Sequence, residues 1–358
     1  MNEPIFIARQ DTLEQEILPA HWLSQYKLFG EESYTFQDKE IWKKLCMSRA
    51  AANDRDMHAE ALEEMLTTFS AEHTGKWMLT VYGMDAAVLE GLASMAAIAA
   101  NGTAMAAVAG NALLMHAITN SETAMQAISR SQTAMQRVAN STTVMDAISG
   151  SKIARDAVQA SPYYNSYIKE NDMAIAKLAV ALASLESAGY SGMAGVAADS
   201  TAMTAVAASS TAMTAVAASG VALQAIAKAY KQTADMLKFL QAVNASDTLI
   251  KSIYNTLTKA TTLFAAAQLG AQDDVASANS WATTSAAPNA FLACACGYYS
   301  SGNSVNVTYN GTVIAQKKTG TKQPGSVAST NVNAITMAPS TFTENGDGYL
   351  AVQKFTAK

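Results

Sequence analysis

Charged and aromatic residues are scarce in this 358-residue chain, at 15% and 7% of its length, although 50% of it is hydrophobic. Much of the hydrophobic fraction is alanine and methionine, which favours close packing of backbones over cores built from bulky rings. The length suffices for two or three domains with buried cores. A net charge of −5, with scattered lysine and arginine, excludes a basic surface for nucleic acid.

Residues that carry catalytic or metal chemistry are also few. The three cysteines, Cys46, Cys294 and Cys296, fit neither a disulfide framework nor a zinc spacing, so we expect reduced core thiols. The four histidines have no paired ligand spacing: they are His21, His58, His73 and His116. No nucleophile elbow, P-loop or dinucleotide fingerprint occurs, and ENGDG at 344–348 is typical of a polar turn. We therefore expect no enzyme, no cofactor and no metal site.

Targeting and membrane signals are weak. The N-terminus has no basic segment followed by a long apolar run, which argues against a secretory signal and predicts synthesis in a cytoplasm. Two uncharged stretches, 91–121 and 200–227, reach a membrane-spanning length. They are rich in alanine, serine and threonine and lack aromatic residues at both ends, so we expect no membrane insertion.

A ten-residue repeat is the main feature of the sequence. Its unit reads Ser-x-Thr-Ala-Met-x-Ala-Val/Ile-Ala-x and runs in frame over 91–160 and again from 189. The first position holds residues that favour helix N-caps, and both blocks open on glycine, at Gly91 and Gly189. The other predicted caps are Asn101, Asn111, Ser121, Ser131, Ser141, Ser151, Asp199, Ser209 and Ser219.

The fifth and eighth positions of the unit predict a repeat core. In the first block these are Met95, Ile98, Met105, Val108, Met115, Ile118, Met125, Ile128, Met135, Val138, Met145 and Ile148. In the second block they are Met193, Val196, Met203, Val206, Met213 and Val216. Met and Val/Ile stand three positions apart, so they share one face of a helix.

A cap every ten residues argues against one continuous helix, because capping is useful only where backbone N–H groups lack a partner. A ten-residue stripe would also slip by about 80° per unit around a straight helix. We therefore predict a string of two-turn helices that stack as a solenoid, since such short helices are stable only against neighbours. Without recurrent charged or aromatic positions, the array is expected to be a spacer or rod.

The decapeptides resemble those of one protein class. STAMTAVAAS occurs twice between Ser200 and Ser219, and SETAMQAISR and SQTAMQRVAN are close variants. They look like the Ser/Thr-Ala-Met-x-Ala-Val repeats of bacteriophage and prophage tail-fibre and baseplate-associated proteins. The resemblance covers about 110 residues. It implies a virion structural protein whose N-terminal end anchors the molecule.

The remaining segments differ from the repeats. Residues 1–80 are charged and aromatic, with Trp22, Trp42 and Trp77, and predict a helical module with helices from Asp11, through 38–47 and over 57–69. The resemblance implies that this module is for attachment. Residues 81–160 form the first repeat block, 161–188 a helical interruption and 189–228 the second block. Apolar residues at helical spacing predict a helical stem over 229–285 that could oligomerise.

The last segment, 286–358, carries Gly, Ser, Thr, Asn and Val with strand periodicity and predicts a small antiparallel β-sandwich or barrel. VNVTY, Asn310-Gly311 and TVIAQKK predict a hairpin with a type I′ turn. A second hairpin or loop is expected at 344–348, before YLAVQKF. At the end of a rod, this domain would contact a host receptor or a neighbouring subunit.

We therefore predict a multidomain, mainly α protein with a decapeptide solenoid and a C-terminal β-domain. Its expected function is that of a tail-fibre or baseplate subunit in the virion, acting by protein–protein assembly and host attachment. Expected partners are other tail proteins, further copies of the chain with a trimer preferred, and a host surface receptor. Two alternatives remain: a bacterial contractile-injection fibre or surface adhesin, and a membrane-active protein that inserts its uncharged segments.

Overall fold

The computed structural model describes residues 55–68, 74–75, 78, 82–89, 91–92, 94–229, 234–273, 289–298, 304–317, 326–345 and 348–358. It divides into two compact units, Met1–Ile168 and Lys169–Lys358. The described part is mainly helical and ends in antiparallel β-sheets, which confirms the predicted class at that level. The helices predicted from Asp11 and over 38–47, the three tryptophans of the N-terminal module and Cys46 lie outside the described residues.

In the first unit, a longer helix and a four-residue helix precede a series of short ones. The helices are α1 Arg55–Thr68, α2 Ala86–Leu89, α3 Met95–Ala100, α4 Gly102–Ala109, α5 Ala112–Thr119, α6 Glu122–Ser129, α7 Gln132–Asn140, α8 Thr142–Gly150 and α9 Lys152–Gln159. A π-helical turn, Tyr164–Ile168, follows α9. Helix α1 corresponds to the helix predicted over 57–69.

The short helices of the first unit pack by a simple rule. Successive helices turn sharply, with α4 and α5 meeting at 104°. Each helix therefore packs against the third one after it: α3 on α6, α4 on α7, α5 on α8 and α6 on α9. The π-helical turn takes the next place, against α7, and α1 covers α5 and α6 at the other side.

The second unit repeats this packing. Its helices are α10 Asp172–Leu182, α11 Met193–Ala198, α12 Ser200–Ala208, α13 Ser210–Ala217, α14 Gly220–Lys228, α15 Ala234–Asn244 and α16 Asp247–Lys259. Here α10 packs on α13, α11 on α14, α12 on α15 and α13 on α16. The angle between α13 and α14 is 96°.

The segment predicted as a helical interruption, 161–188, is helical over Tyr164–Ile168 and Asp172–Leu182 but keeps the decapeptide frame for most of its length. Ser161 and Asn171 occupy first positions of the decapeptide frame, and Asn171 caps α10 by accepting from Ala174 N. The frame slips only in the loop from Leu182 to Met193. This continuity of the frame is not evident from the sequence, because a proline and three tyrosines replace the usual residues of the unit after Ser161. Gly91 and Gly189 are also not caps, since α3 begins after Ser94 and α11 after Gly192.

Seven strands form two antiparallel sheets in the described part of the second unit. They are β1 Phe264–Asp273, β2 Ala290–Tyr298, β3 Ser304–Tyr309, β4 Thr312–Lys317, β5 Ala334–Met337, β6 Ser340–Asn345 and β7 Gly348–Ala357. One sheet has the order β1-β7-β2-β5 and the other β4-β3-β6. In the first sheet, Phe264 pairs with Ala357 and Phe291 with Phe355.

Strand β1 corrects the helical stem predicted over 229–285. Phe264–Asp273 is rich in alanine, which favours a helix locally, yet it pairs with β7 at the far end of the chain. This long-range pairing overrides the local preference. The apolar residues of α15 and α16, such as Phe239 and Ile253, are fully buried inside the unit, where α15 packs on β4 and β5 and α16 on β1 and β5.

The turn at Asn310-Gly311 joins β3 to β4 with positive φ values of 47° and 77°. Positive φ at both central residues is what a type I′ turn requires. The prediction at 344–348 left a hairpin or a loop open, and the structure excludes the hairpin, because β6 and β7 belong to different sheets. Neither strand therefore pairs with the other.

Candidate functional site

The candidate site is the set of corners at which one short helix of the decapeptide array ends and the next begins. All nine predicted caps lie at helix N-termini, with an extended backbone, and each accepts a hydrogen bond from a backbone N–H two or three residues later. All eighteen predicted core residues are buried, at 0–3% exposure. Caps and core thus form the two layers that hold each short helix.

Several cap serines make a second hydrogen bond that sequence reasoning missed. Ser131 Oγ accepts from Ala134 N and also donates to Ala99 O at 2.7 Å. Ser151 Oγ donates to Thr119 O and Ser161 Oγ to Ser129 O, both at 2.6 Å. In each case the acceptor lies 32 residues earlier. A single hydroxyl thus joins the start of one helix to the end of an earlier one.

These acceptors are among the last carbonyls of their helices, which have no partner within the helix. Ala99 is in the last turn of α3, and Thr119 and Ser129 end α5 and α6. In the second unit Ser209 Oγ donates in the same way to Leu182 O, the last residue of α10, at 2.8 Å. Serine suits this position because its hydroxyl both accepts and donates.

The two other cap types fit their partners as well. Asp199 caps α12 and also accepts from Tyr190 OH at 2.8 Å. The second partner of this cap is therefore a donor, whereas the second partner of the cap serines is a carbonyl. These hydrogen bonds lower the pKa of Asp199. Asn111 caps α5 through Oδ1 and donates through Nδ2 to Tyr82 O at 3.3 Å. The cap residue type therefore follows the chemistry of the group facing it.

Three carboxylates cap helices from elsewhere in the chain. Glu63 of α1 accepts from Ser121 Oγ, Thr123 N and Thr123 Oγ1 at the start of α6. Asp172 accepts from Met193 N at 2.8 Å, where Gly192 has no side chain to cap α11. A negative charge at a helix N-terminus is stabilised by the unpaired N–H groups and the helix dipole.

Glu170 makes the third of these contacts. Its two oxygens accept from Gly220 N at 3.2 Å and Val221 N at 3.1 Å, at the start of α14. Gly220 has to be small, because a Cβ there would lie 3.0 Å from Ala260 Cβ. The sequence signal for these carboxylates is a glycine or serine at a helix start, but the acid itself is distant in the chain.

We expect aspartate to be tolerated at Ser141 but to destabilise the protein at Ser131. In the described residues Ser141 Oγ only caps α8, accepting from Val144 N at 3.4 Å. Because aspartate is also a good cap, Ser141→Asp should change the free energy of unfolding by less than about 0.5 kcal/mol. Ser131→Asp should lower it by about 1–2 kcal/mol, since the carboxylate cannot donate to Ala99 O and repels it.

Urea denaturation of both variants, beside Ser131→Ala and Ser141→Ala, checks this expectation. The two alanine variants should each lose the cap, about 1 kcal/mol, with a larger loss at Ser131. Equal effects of aspartate at the two positions would show that the bond from Ser131 to Ala99 contributes nothing.

The two cysteines in the described strands are buried thiols. Cys294 and Cys296 lie on β2 at 0% and 4% exposure. Burial raises the pKa of Cys296 to about 12 and raises that of Cys294 as well. Among the described residues no group of three His, Cys, Asp or Glu side chains is arranged to hold a metal ion.

We expect these thiols to resist alkylation in the native protein. The thiolate is the reactive form, so a raised pKa and burial should both slow iodoacetamide at pH 8. Peptide mapping by mass spectrometry should show Cys294 and Cys296 unmodified until urea unfolds the second unit. Rapid labelling of either cysteine in the native protein would contradict the burial of β2.

The two uncharged stretches of the sequence are each divided among short helices. Among the described residues no single helix has the length and apolarity to cross a membrane. Two consecutive pairs, α4 with α5 and α13 with α14, meet that test only when taken together across their bends.

No protein-family profile matches the chain, and no curated protein matches it. The resemblance of the decapeptides to tail proteins therefore remains a prediction from the repeats.

Proposed function

We propose that this protein is a structural component of a bacteriophage tail, a fibre or baseplate subunit in which the decapeptide array is a spacer. The observation that carries the proposal is the corner bonding of the array. The hydroxyls of Ser131, Ser151 and Ser161 each link two short helices, so the repeat residues serve packing and capping. An array of this kind supplies length and rigidity.

The finer architecture belongs to the same proposal. The short helices form a solenoid with three helices per turn, supported by the packing of each helix on the third one after it. The two sheets form a small β-sandwich next to α15 and α16. In a tail protein, α1 and the N-terminal residues would anchor the chain, and the β-domain would meet a host surface receptor or a neighbouring subunit.

The partners in this proposal are other tail or baseplate proteins and further copies of the chain, with a trimer preferred. The apolar faces of α15 and α16 are buried inside their own unit, so copies would meet through other surfaces. Light scattering of the purified protein should give a mass near three times 37.6 kDa. A mass of one chain would remove the trimer from the proposal.

Particles released by a strain that carries the gene provide the main test. We expect mass spectrometry of purified particles to find the protein at a fixed ratio to other tail proteins. Immunogold electron microscopy should place it on the tail. Its absence from particles, with the protein left in the cell lysate, would overturn the proposal.

A matched pair of variants controls for folding. A gene with Gln136→Ala, at an exposed position of α7, should restore normal particles to a deletion strain. The neighbouring Met135→Asp places a charge in the array core, where Met135 is 0% exposed, and should not restore them.

A further inference from the structure

Identical decapeptides take different places in the array. The sequence STAMTAVAAS occurs at 200–209 and again at 210–219. The first copy forms α12, which packs on α15, whereas the second forms α13, which packs on α10 and α16. Since the two sequences are the same, a helix's own residues do not determine on which face of the array it lies.

The length of the loop between two helices does not determine the face of the array on which the next helix lies either. The loop from Leu182 to Met193 is longer than the other connections of the array, yet α10 still packs on α13 and α11 on α14. The corner bonds do differ between the units. Ser131 and Ser151 each join the start of a helix to the fourth helix before it, 32 residues away, whereas Ser209 joins the start of α13 to α10, the third before it, 27 residues away. What stays constant in both units is that a helix packs on the third one after it.

We infer that the number of decapeptides sets both the length of the array and the direction of each face. Each added decapeptide turns the later helices of its own unit by about a third of a turn. Three decapeptides restore the direction and add one layer of helices, about 8–10 Å. A partner that contacts one face of the array therefore meets every third decapeptide. The consequence for a partner rests on the proposed spacer function. The rule that each added decapeptide shifts the packing by one helix is a property of the fold itself.

A contact between α4 and α7 can be used to measure which helix packs on α4. A Cβ at Gly102, in α4, would lie 3.6 Å from Thr133 Cγ2, in α7. Cysteines at these two positions are close enough for a disulfide after mild oxidation. In a Cys46→Ser background, Gly102→Cys with Thr133→Cys should cross-link. Gly102→Cys with Thr123→Cys should not, because Thr123 lies in α6.

The test duplicates Ser121–Arg130 directly after Arg130. The second copy then becomes the third helix after α4, and it takes the place of α7. Cysteine at the Thr123 position of the second copy should now cross-link to Gly102→Cys, and cysteine at Thr133 should lose its cross-link. Both pairs are read on non-reducing gels and by peptide mapping. The first copy should keep the contacts that Ser121 and Thr123 make with Glu63.

Retention of the original pair in the duplicated chain would overturn the rule, because the added unit would then bulge out as a loop. Failure of the duplicated chain to fold cooperatively, measured by circular dichroism, would overturn it too, since the rule requires any whole decapeptide to be accommodated. Neither result bears on whether the protein is found in tails, so the two proposals fail separately.

Discussion

Met135→Ala is expected to lower the free energy of unfolding by about 2–5 kcal/mol. Met135 lies at the fifth position of its decapeptide, on α7, and its side chain is 0% exposed. Helix α7 packs on both α3 and α4, so the cavity is left between layers of the array. A two-turn helix has little stability of its own with which to absorb the loss.

Urea denaturation followed by circular dichroism measures this effect, and the adjacent Gln136→Ala provides its control. Gln136 is exposed on the same helix, so its truncation should change the free energy of unfolding by less than about 0.5 kcal/mol. Similar losses for the two variants would mean that Met135 does not face the core.

Asn244→Ala is expected to lower the stability of the second unit by about 2–4 kcal/mol, because it leaves buried polar groups unpaired. The side chain of Asn244, at the end of α15, pairs with Ile335 of β5 as a neighbouring strand would. Its Oδ1 accepts from Ile335 N at 3.0 Å and its Nδ2 donates to Ile335 O at 2.7 Å. The same Nδ2 also donates to Leu240 O at 2.8 Å.

Asn255→Ala is the matched control, since Asn255 is exposed on α16 and should tolerate truncation. Asn244→Asp should be at least as harmful as Asn244→Ala, because a carboxylate cannot donate to Ile335 O and would be buried with its charge. Thermal unfolding of the three variants separates these outcomes. A wild-type melting temperature for Asn244→Ala would show that the hydrogen bonds of Asn244 to the edge strand β5 do not stabilise the unit.

The local features of this fold were readable from the sequence. The decapeptide frame identified nine helix caps, from Asn101 to Ser219, and the eighteen buried core residues of the repeats, because capping and helical spacing depend on residues within one turn. Asn310-Gly311 identified its turn for the same reason, since few residues adopt positive φ. These features depend on nearby residues alone.

Features that depend on distant residues were not readable. The alanine-rich β1 becomes a strand through β7, which lies at the other end of the domain. The carboxylates of Glu63 and Glu170 accept from helix starts that lie 50 to 60 positions later in the chain, so no local pattern indicated them. The cap frame also could not show which later helix each helix packs on, because that depends on the angles between them.

The packing of each helix on the third one after it is the central claim, and one nuclear Overhauser measurement tests it most directly. We predict a cross-peak between the Hα protons of Gly102 and the γ-methyl group of Thr133, because a Cβ at Gly102 would lie 3.6 Å from that carbon. Absence of this cross-peak, with contacts of a continuous helix running through Asn101 and Ser131 instead, would contradict the account.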